Sequence, residues 1–286
     1  MCKWLNKTCL ISDNPWSLLL EETQFWESID KHGYYQSPYL SFEVYKNKYN
    51  LTLKNRAPAY LSIDFWSDQA SALTKKRLYV LRTGRGRFVI FSLDRFAKPY
   101  LDLSVSNAMP IKAKDVDGFD HLTRSFKDHY QEDTNLELLR MMGIYDELVN
   151  QVCGRSSFLI GPRGHRYSSF KLHMIDKEQA EPVPFNYDGQ EELDYTIWTE
   201  DSVFVFEAKQ LQSTSRGLDI GWHKLVFPTY RFVGLKGLNI FPVYYLRRNH
   251  AAYLFVFDKL HFYNDGLVLN DIANHVPKHV FRVDLA

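Results

Sequence analysis

Residues 191–210 read EELDYTIWTEDSVFVFEAKQ, two apolar runs divided by the polar stretch Thr199-Glu200-Asp201-Ser202. β-branched and aromatic residues on both sides of such a stretch predict a β-hairpin. A two-residue loop at Glu200-Asp201 and a four-residue loop over 199–202 are both common. Both give one register, in which paired residue numbers sum to 401. Asp194 then opposes Glu207, and Glu192 opposes Lys209. Side chains alternate along a strand and cross-strand partners share a face. One face therefore collects Glu192, Asp194, Glu207 and Lys209. The other carries Leu193, Tyr195, Ile197, Phe204, Phe206 and Ala208, a candidate core face.

Two carboxylates placed opposite each other repel, so the arrangement needs a reason. A divalent cation supplies one: Mg²⁺ takes one or two protein carboxylates, several waters and a substrate phosphate. A lysine beside it can orient a water or neutralise charge developing on a phosphate. The competing reading is a solvated hairpin face with ordinary surface ion pairs, which contribute little. A β-bulge would also shift the register.

Composition narrows the setting. A chain of 286 residues with 45% hydrophobic and 15% aromatic residues can build a sizeable core. Its net charge of +1 gives no global attraction to nucleic acid or anionic membrane, so such affinity must be local. Cys2, Cys9 and Cys153 are too few for a disulfide framework and lack CxxC spacing, which leaves buried or idle thiols. The N-terminus lacks a signal-peptide pattern and no apolar run is long enough to span a bilayer, so a soluble, cytoplasmic protein is expected.

Along the chain, SLLLEETQFWESIDKH predicts a helix opened near Pro15 and Ser17 and closed by Gly33. YLSFEVY and AYLSIDFW read as strands, and RLYVLRTGRGRFVIF as a hairpin turning at Gly84 and Gly86. A polar stretch at 106–118 marks a boundary between an N-terminal α+β region, 1–115, and a second part, 116–286. The second part opens with FDHLTRSFKDHY, followed by the helix TNLELLRMMGIYDELVNQVCG. Thr134 and Glu137 fit a capping box there, and Gly154 a C-terminal stop. SSFLIGPRGHRYSSFKLHMID reads as a strand pair around GPRGH. GWHKLVFPTYRFVG reads as a helix bent or restarted at Pro228, with strands NIFPVYYLRR and AAYLFVFDKL after it. This order indicates an α/β or α+β core.

Asp194, twelve intervening residues and Glu207-Ala208-Lys209 resemble the PD-(D/E)xK nuclease superfamily, as seen in type II restriction endonucleases. The order of elements over roughly residues 130 to 260 is similar too, although Leu193 stands where the family often has proline. The resemblance implies a restriction-endonuclease-like core, a central mixed β-sheet flanked by helices. It further implies that Asp194, Glu207 and the Ala208 carbonyl ligate Mg²⁺, and that Lys209 activates the attacking water. Hydrolysis of DNA would leave 5′-phosphate and 3′-hydroxyl ends. A further acid from the preceding helix is common in the family; Glu147 is the choice here, because Glu137 already has a capping role. Glu192 and Gln210 are supporting candidates.

Basic stretches provide candidate contacts to DNA. KKRLYVLRTGRGR carries Arg82, Arg85 and Arg87 around one turn, GRSSFLIGPRGHRYSSFK carries Arg163 and Arg166, and GWHKLVFPTYRF carries Lys224. The resulting expectation is a Mg²⁺-dependent, sequence-specific endonuclease of restriction type. Cutting both strands of a symmetric double-stranded site calls for a homodimer, and a cognate DNA methyltransferase is implied by the resemblance. The alternatives are a repair, recombination or defence nuclease of the same fold, or a non-catalytic DNA-binding or regulatory protein. The last is favoured if Asp194 and Glu207 diverge.

Overall fold

The computed structural model describes residues 15–51, 57–114, 132–211, 218–248, 250–260, 262, 266–270 and 275–285. Cys2, Cys9 and FDHLTRSFKDHY lie outside them. The chain divides into two compact units, both mixing helices and strands. The first comprises Met1–Tyr100, Ser169–Gln190 and Tyr263–Asp271; the second comprises Leu101–Ser168, Glu191–Phe262 and Ile272–Ala286.

The first unit begins with α1 (Thr23–His32), β1 (Tyr34–Gln36), α2 (Phe42–Lys48), α3 (Pro58–Leu61), α4 (Ser71–Thr74), β2 (Leu78–Arg82) and β3 (Phe88–Ser92). The β2–β3 hairpin forms as expected, and β1 adds to it in an antiparallel sheet of order β1-β3-β2. Gly33 closes α1, its N–H bonded to the Ile29 carbonyl. The helix starts later than expected, after a 3-10 turn at Leu19–Glu21. The FEVY part of YLSFEVY is helical rather than extended. Ser41 caps α2 by accepting from the Val44 N–H, and Phe42 and Tyr45, three apart on one helix face, enter the aromatic core with Trp16 and Phe88. AYLSIDFW is also not a strand: it leaves α3 as irregular chain and enters a 3-10 turn at Trp66, although Leu61, Ile63 and Phe65 keep the alternating burial that suggested one.

Beyond Tyr100 come β4 (Tyr100–Asp102), β5 (Met109–Pro110), α5 (Glu132–Met141), α6 (Ile144–Cys153), β6 (Leu159–Ile160), β7 (Gly164–Ile175) and β8 (Pro182–Leu193). They are followed by β9 (Tyr195–Trp198), β10 (Ser202–Leu211), β11 (Asp219–Gly221), α7 (Trp222–Val226), a 3-10 segment (Phe227–Phe232), β12 (Asn239–Arg248), β13 (Ala251–Phe257), β14 (Gly266–Val268) and β15 (Pro277–Asp284). The segments that return to the first unit are fastened there: the Arg95 guanidinium pairs with buried Asp176, and Gly84 bridges to Asp188.

The second unit is built on a seven-stranded sheet of order β5-β15-β13-β12-β10-β9-β6. It is mixed: β10 runs parallel to β12 and β15 parallel to β5, while the other pairs are antiparallel. On one face Tyr195, Ile197, Phe204, Phe206 and Ala208 pack with Leu136, Leu139, Tyr145, Leu148 and Val149 of α5 and α6. On the other, Val203 and Val205 pack with Ile240 and with Phe232 of the 3-10 segment.

Three expectations are corrected here. TNLELLRMMGIYDELVNQVCG is two helices, because Gly143 adopts φ 69° between them, a left-handed conformation that favours glycine. Thr134 lies inside α5 and forms no capping box; Glu137 pairs instead with Arg140 and Arg163. The strands around GPRGH do not pair with each other. β6 joins β9, a contact extended by the Gly161 N–H to the Thr196 carbonyl at 3.0 Å, whereas β7 lies in a sheet with β14 and β8. Gly154 does stop α6, and the helix after Gly221 does change character at Pro228. Among the described residues no helix is long and apolar enough to cross a membrane.

Candidate active site

The β9–β10 hairpin has the expected register. Val203 pairs with Trp198, Phe204 with Ile197, Val205 with Thr196 and Phe206 with Tyr195. Continued by one residue, that register sets Asp194 against Glu207. The pair falls in a non-hydrogen-bonded position, where side chains of antiparallel strands come closest.

β9 ends at Tyr195, so the Ala208 N–H has no strand partner on that side. It donates instead to Asp194 Oδ2 at 2.7 Å. A residue's N–H and C=O leave a strand on the same edge, so the Ala208 carbonyl faces the Asp194 side too. Glu207 is 6% exposed, which excludes an ordinary solvated ion pair. Lys209 Nζ lies 2.9 Å from Glu207 Oε1 and 3.4 Å from Glu132 Oε1. Burial, and then the neighbouring Glu207 charge, push the Asp194 carboxyl up to about 8, against the Ala208 hydrogen bond and Lys209. A cation set between the two carboxylates would relieve the repulsion.

This donor set fits a hard divalent ion. Asp194, Glu207 and the Ala208 carbonyl are all oxygen donors, as Mg²⁺ requires, and waters and a substrate phosphate would complete its shell. Among the described residues no group of three His, Cys, Asp or Glu side chains converges as an all-protein cage. Two carboxylates completed by waters suit Mg²⁺, whereas zinc sites commonly draw on histidine or cysteine as well.

Alternation fails on one side of Asp194. The strand is interrupted there, between β8 and β9, as the carboxylate turns onto the Ala208 N–H. Leu193 consequently packs with Val203 and Val205, not with the Phe206 face where it was expected. Glu192 points away into solvent, with His165 at 3.7 Å. Glu191 is the residue turned inward, 4% exposed.

Glu147 and Glu137 are not at the pair. Glu147 accepts from Gln151 at 2.6 Å, and Glu137 holds Arg140 and Arg163. The helix acid that reaches Lys209 is Glu132, at the start of α5. It had a signal in the sequence: 132, 135, 136 and 139 share helical spacing, and the last three are buried. Asn135 accepts from Arg247 Nη1 at 2.6 Å and donates to Gln210 Oε1 at 3.4 Å, which ties α5 to β10 and β12.

The basic candidates differ in freedom. Arg163 lies 4.3 Å over the Tyr195 ring and is bound to Glu137, so it is built into the fold. Arg166 is exposed, and Lys224 lies half-buried on α7. In the first unit, Arg82 bonds the Gly84 carbonyl and Ser62, Arg87 sits 3.7 Å from Asp188, and the Arg85 side chain is exposed.

Residues 97–273, more than half of the chain, match the family described as Domain of unknown function (DUF6997). No curated protein and no solved structure matches the chain.

Proposed function

The chain belongs to the DUF6997 family, and we propose, from the geometry of the Asp194–Glu207 pair, that it is a metal-dependent deoxyribonuclease with a restriction-endonuclease-like core. One observation carries the proposal: a buried glutamate, Glu207, opposes Asp194 at the open end of a hairpin, with Lys209 2.9 Å away. Lys209 offsets the charge of Glu207, yet the Asp194 carboxyl is still pushed up to about 8, and a bound cation would let both carboxylates ionise. Divergence of these two residues would have favoured the non-catalytic alternative; their proximity supports the metal-dependent reading. The order β9-β10-β12, antiparallel then parallel with helices on both faces, also supports a core of this kind.

Asp194, Glu207 and the Ala208 carbonyl would hold Mg²⁺, which when bound polarises the scissile phosphate and lowers the pKa of a water. Lys209, fixed between Glu207 and Glu132, orients the attacking water and balances charge on the phosphate in the transition state. Asn135, Gln210 and Arg247 keep α5, and with it Glu132, in register with β10. Sequence-specific cleavage of double-stranded DNA by a homodimer, with a partner methyltransferase, is the form of the activity we favour. Arg85 in the first unit and Arg166 and Lys224 in the second are its candidate DNA contacts.

The test is cleavage of unmethylated plasmid and phage DNA with Mg²⁺, comparing wild type, Lys209→Ala and a metal-free control. Discrete fragments that vanish in both controls are expected. A folded protein that leaves every duplex substrate intact would count against restriction activity, and branched or single-stranded DNA would then separate a repair nuclease from a binding protein.

A further inference from the structure

A second polar cluster forms within the second unit, starting three residues before Asp194. Ser168 Oγ donates to Glu191 Oε1, while Glu191 Oε2 is buried without a partner. Arg231 lies in the 3-10 segment beside Phe232, which packs against Leu193 and Val205. Its Nε and Nη2 are buried and donate to nothing. Glu191 and Arg231 feel each other's charge, and Arg166 acts on both. Even so, among the described residues no hydrogen bond or ion pair joins Glu191 to Arg231. Burial holds the Glu191 carboxyl above its usual range and the Arg231 guanidinium below its own.

Buried polar groups are almost always satisfied, so unpaired donors beside an unpaired acceptor call for a third body. Nε and Nη2 form the edge of a guanidinium that matches two oxygens of one oxyanion. Glu191 Oε2 can share a proton with such an anion, carried on either partner. Phosphate meets both demands. Two guanidiniums, one of them exposed on Arg166, outweigh the single carboxyl, so the balance of charge also favours an anion.

We propose that Arg231, Arg166, Ser168 and Glu191 form a phosphate subsite distinct from the Asp194–Glu207 pair. Its natural occupant is a phosphate of the nucleic acid being cut, an identity that rests on the nuclease reading. The subsite's phosphate chemistry does not depend on that reading.

The experiment uses the intact chain without divalent metal and titrates inorganic phosphate by calorimetry. It then titrates a labelled single-stranded oligonucleotide with and without a 5′-phosphate. Wild type binds phosphate, and Arg231→Gln weakens binding by about tenfold or more, as loss of charge-assisted hydrogen bonds requires. Arg166→Gln weakens it less. Glu191→Gln, which removes a negative charge but keeps a donor, binds as tightly or more tightly. A gain from the 5′-phosphate assigns the subsite to a chain end; equal binding of both oligonucleotides, lost in Arg231→Gln, assigns it to a backbone diester. Absence of phosphate binding in wild type, indifference to both arginine changes, or loss in Glu191→Gln overturns the subsite. If Arg231→Gln fails to fold, the exposed Arg166→Gln decides. DNA that stays uncut while phosphate binds would sink the nuclease reading and leave the subsite standing; cleavage without phosphate binding would do the reverse.

Discussion

At the scale of single residues, Asp194 has a measurable signature. Burial, and then the Glu207 charge, push its carboxyl up to about 8 from an ordinary value of 3.8. The folded state therefore binds a proton that the unfolded state has already released. Stability from this group is complete below 3.8 and declines as pH rises toward about 8. Denaturant titrations of metal-free protein should show that decline in wild type and a flatter profile in Asp194→Asn; identical profiles would remove the coupling to Glu207. Added Mg²⁺ should lower the Asp194 midpoint, read by carboxyl NMR, since ligation requires the ionised form. Glu132 and Glu147 provide a matched comparison. Glu132→Gln should cut the cleavage rate by about 10- to 100-fold, as loss of an orienting partner does, and Glu147→Gln should leave it unchanged. Equal effects from the two would dissolve the role given to Glu132.

At the scale of elements, a single break sets how two helices pack on the sheet. Gly143, at φ 69°, divides what the apolar spacing predicts as one helix, and α5 and α6 then both pack on the Phe206 face. An L-residue there costs about 1–2 kcal/mol in backbone strain. The added Cβ would also meet the Lys114 side chain, a flexible group that can move aside. Gly143→Ala should lower stability by that amount in urea unfolding, and no change in midpoint would mean that the conformation at 143 is not fixed. The hairpin carries the opposite lesson. Its register was legible because Thr199–Ser202 leaves one pairing and the core face is continuously apolar over Tyr195, Ile197, Phe204 and Phe206. The shift at Asp194 was not legible, because it arises from one side chain bonding the Ala208 main chain.

At the scale of the whole molecule, the first unit is discontinuous in sequence: segments 169–190 and 263–271 return to it after long excursions. Arg95, 9% exposed, clasps the first of these through Asp176, which is 1% exposed, and also bonds the Lys31 carbonyl. Removing one partner strands a buried charge, so Arg95→Ala should cost about 3–5 kcal/mol. Chemical denaturation followed by tryptophan fluorescence, with Trp16 in that unit's core, would read the loss. A change within error of wild type would mean that the pair does not hold the segment.

The residue order dictates the hairpin, its register and the meeting of Asp194, Glu207 and Lys209, because turn chemistry and period-two alternation act over a few residues. It likewise dictates β2–β3, β12, β13 and the stops at Gly33 and Gly154. Folding in three dimensions selects Glu132 over Glu147 and turns Glu191 inward in place of Glu192. It also makes the FEVY part of YLSFEVY helical and returns the 169–190 segment to the first unit. Each of those outcomes depends on a partner distant in the chain, and local pattern carries no information about which distant surface a side chain will meet.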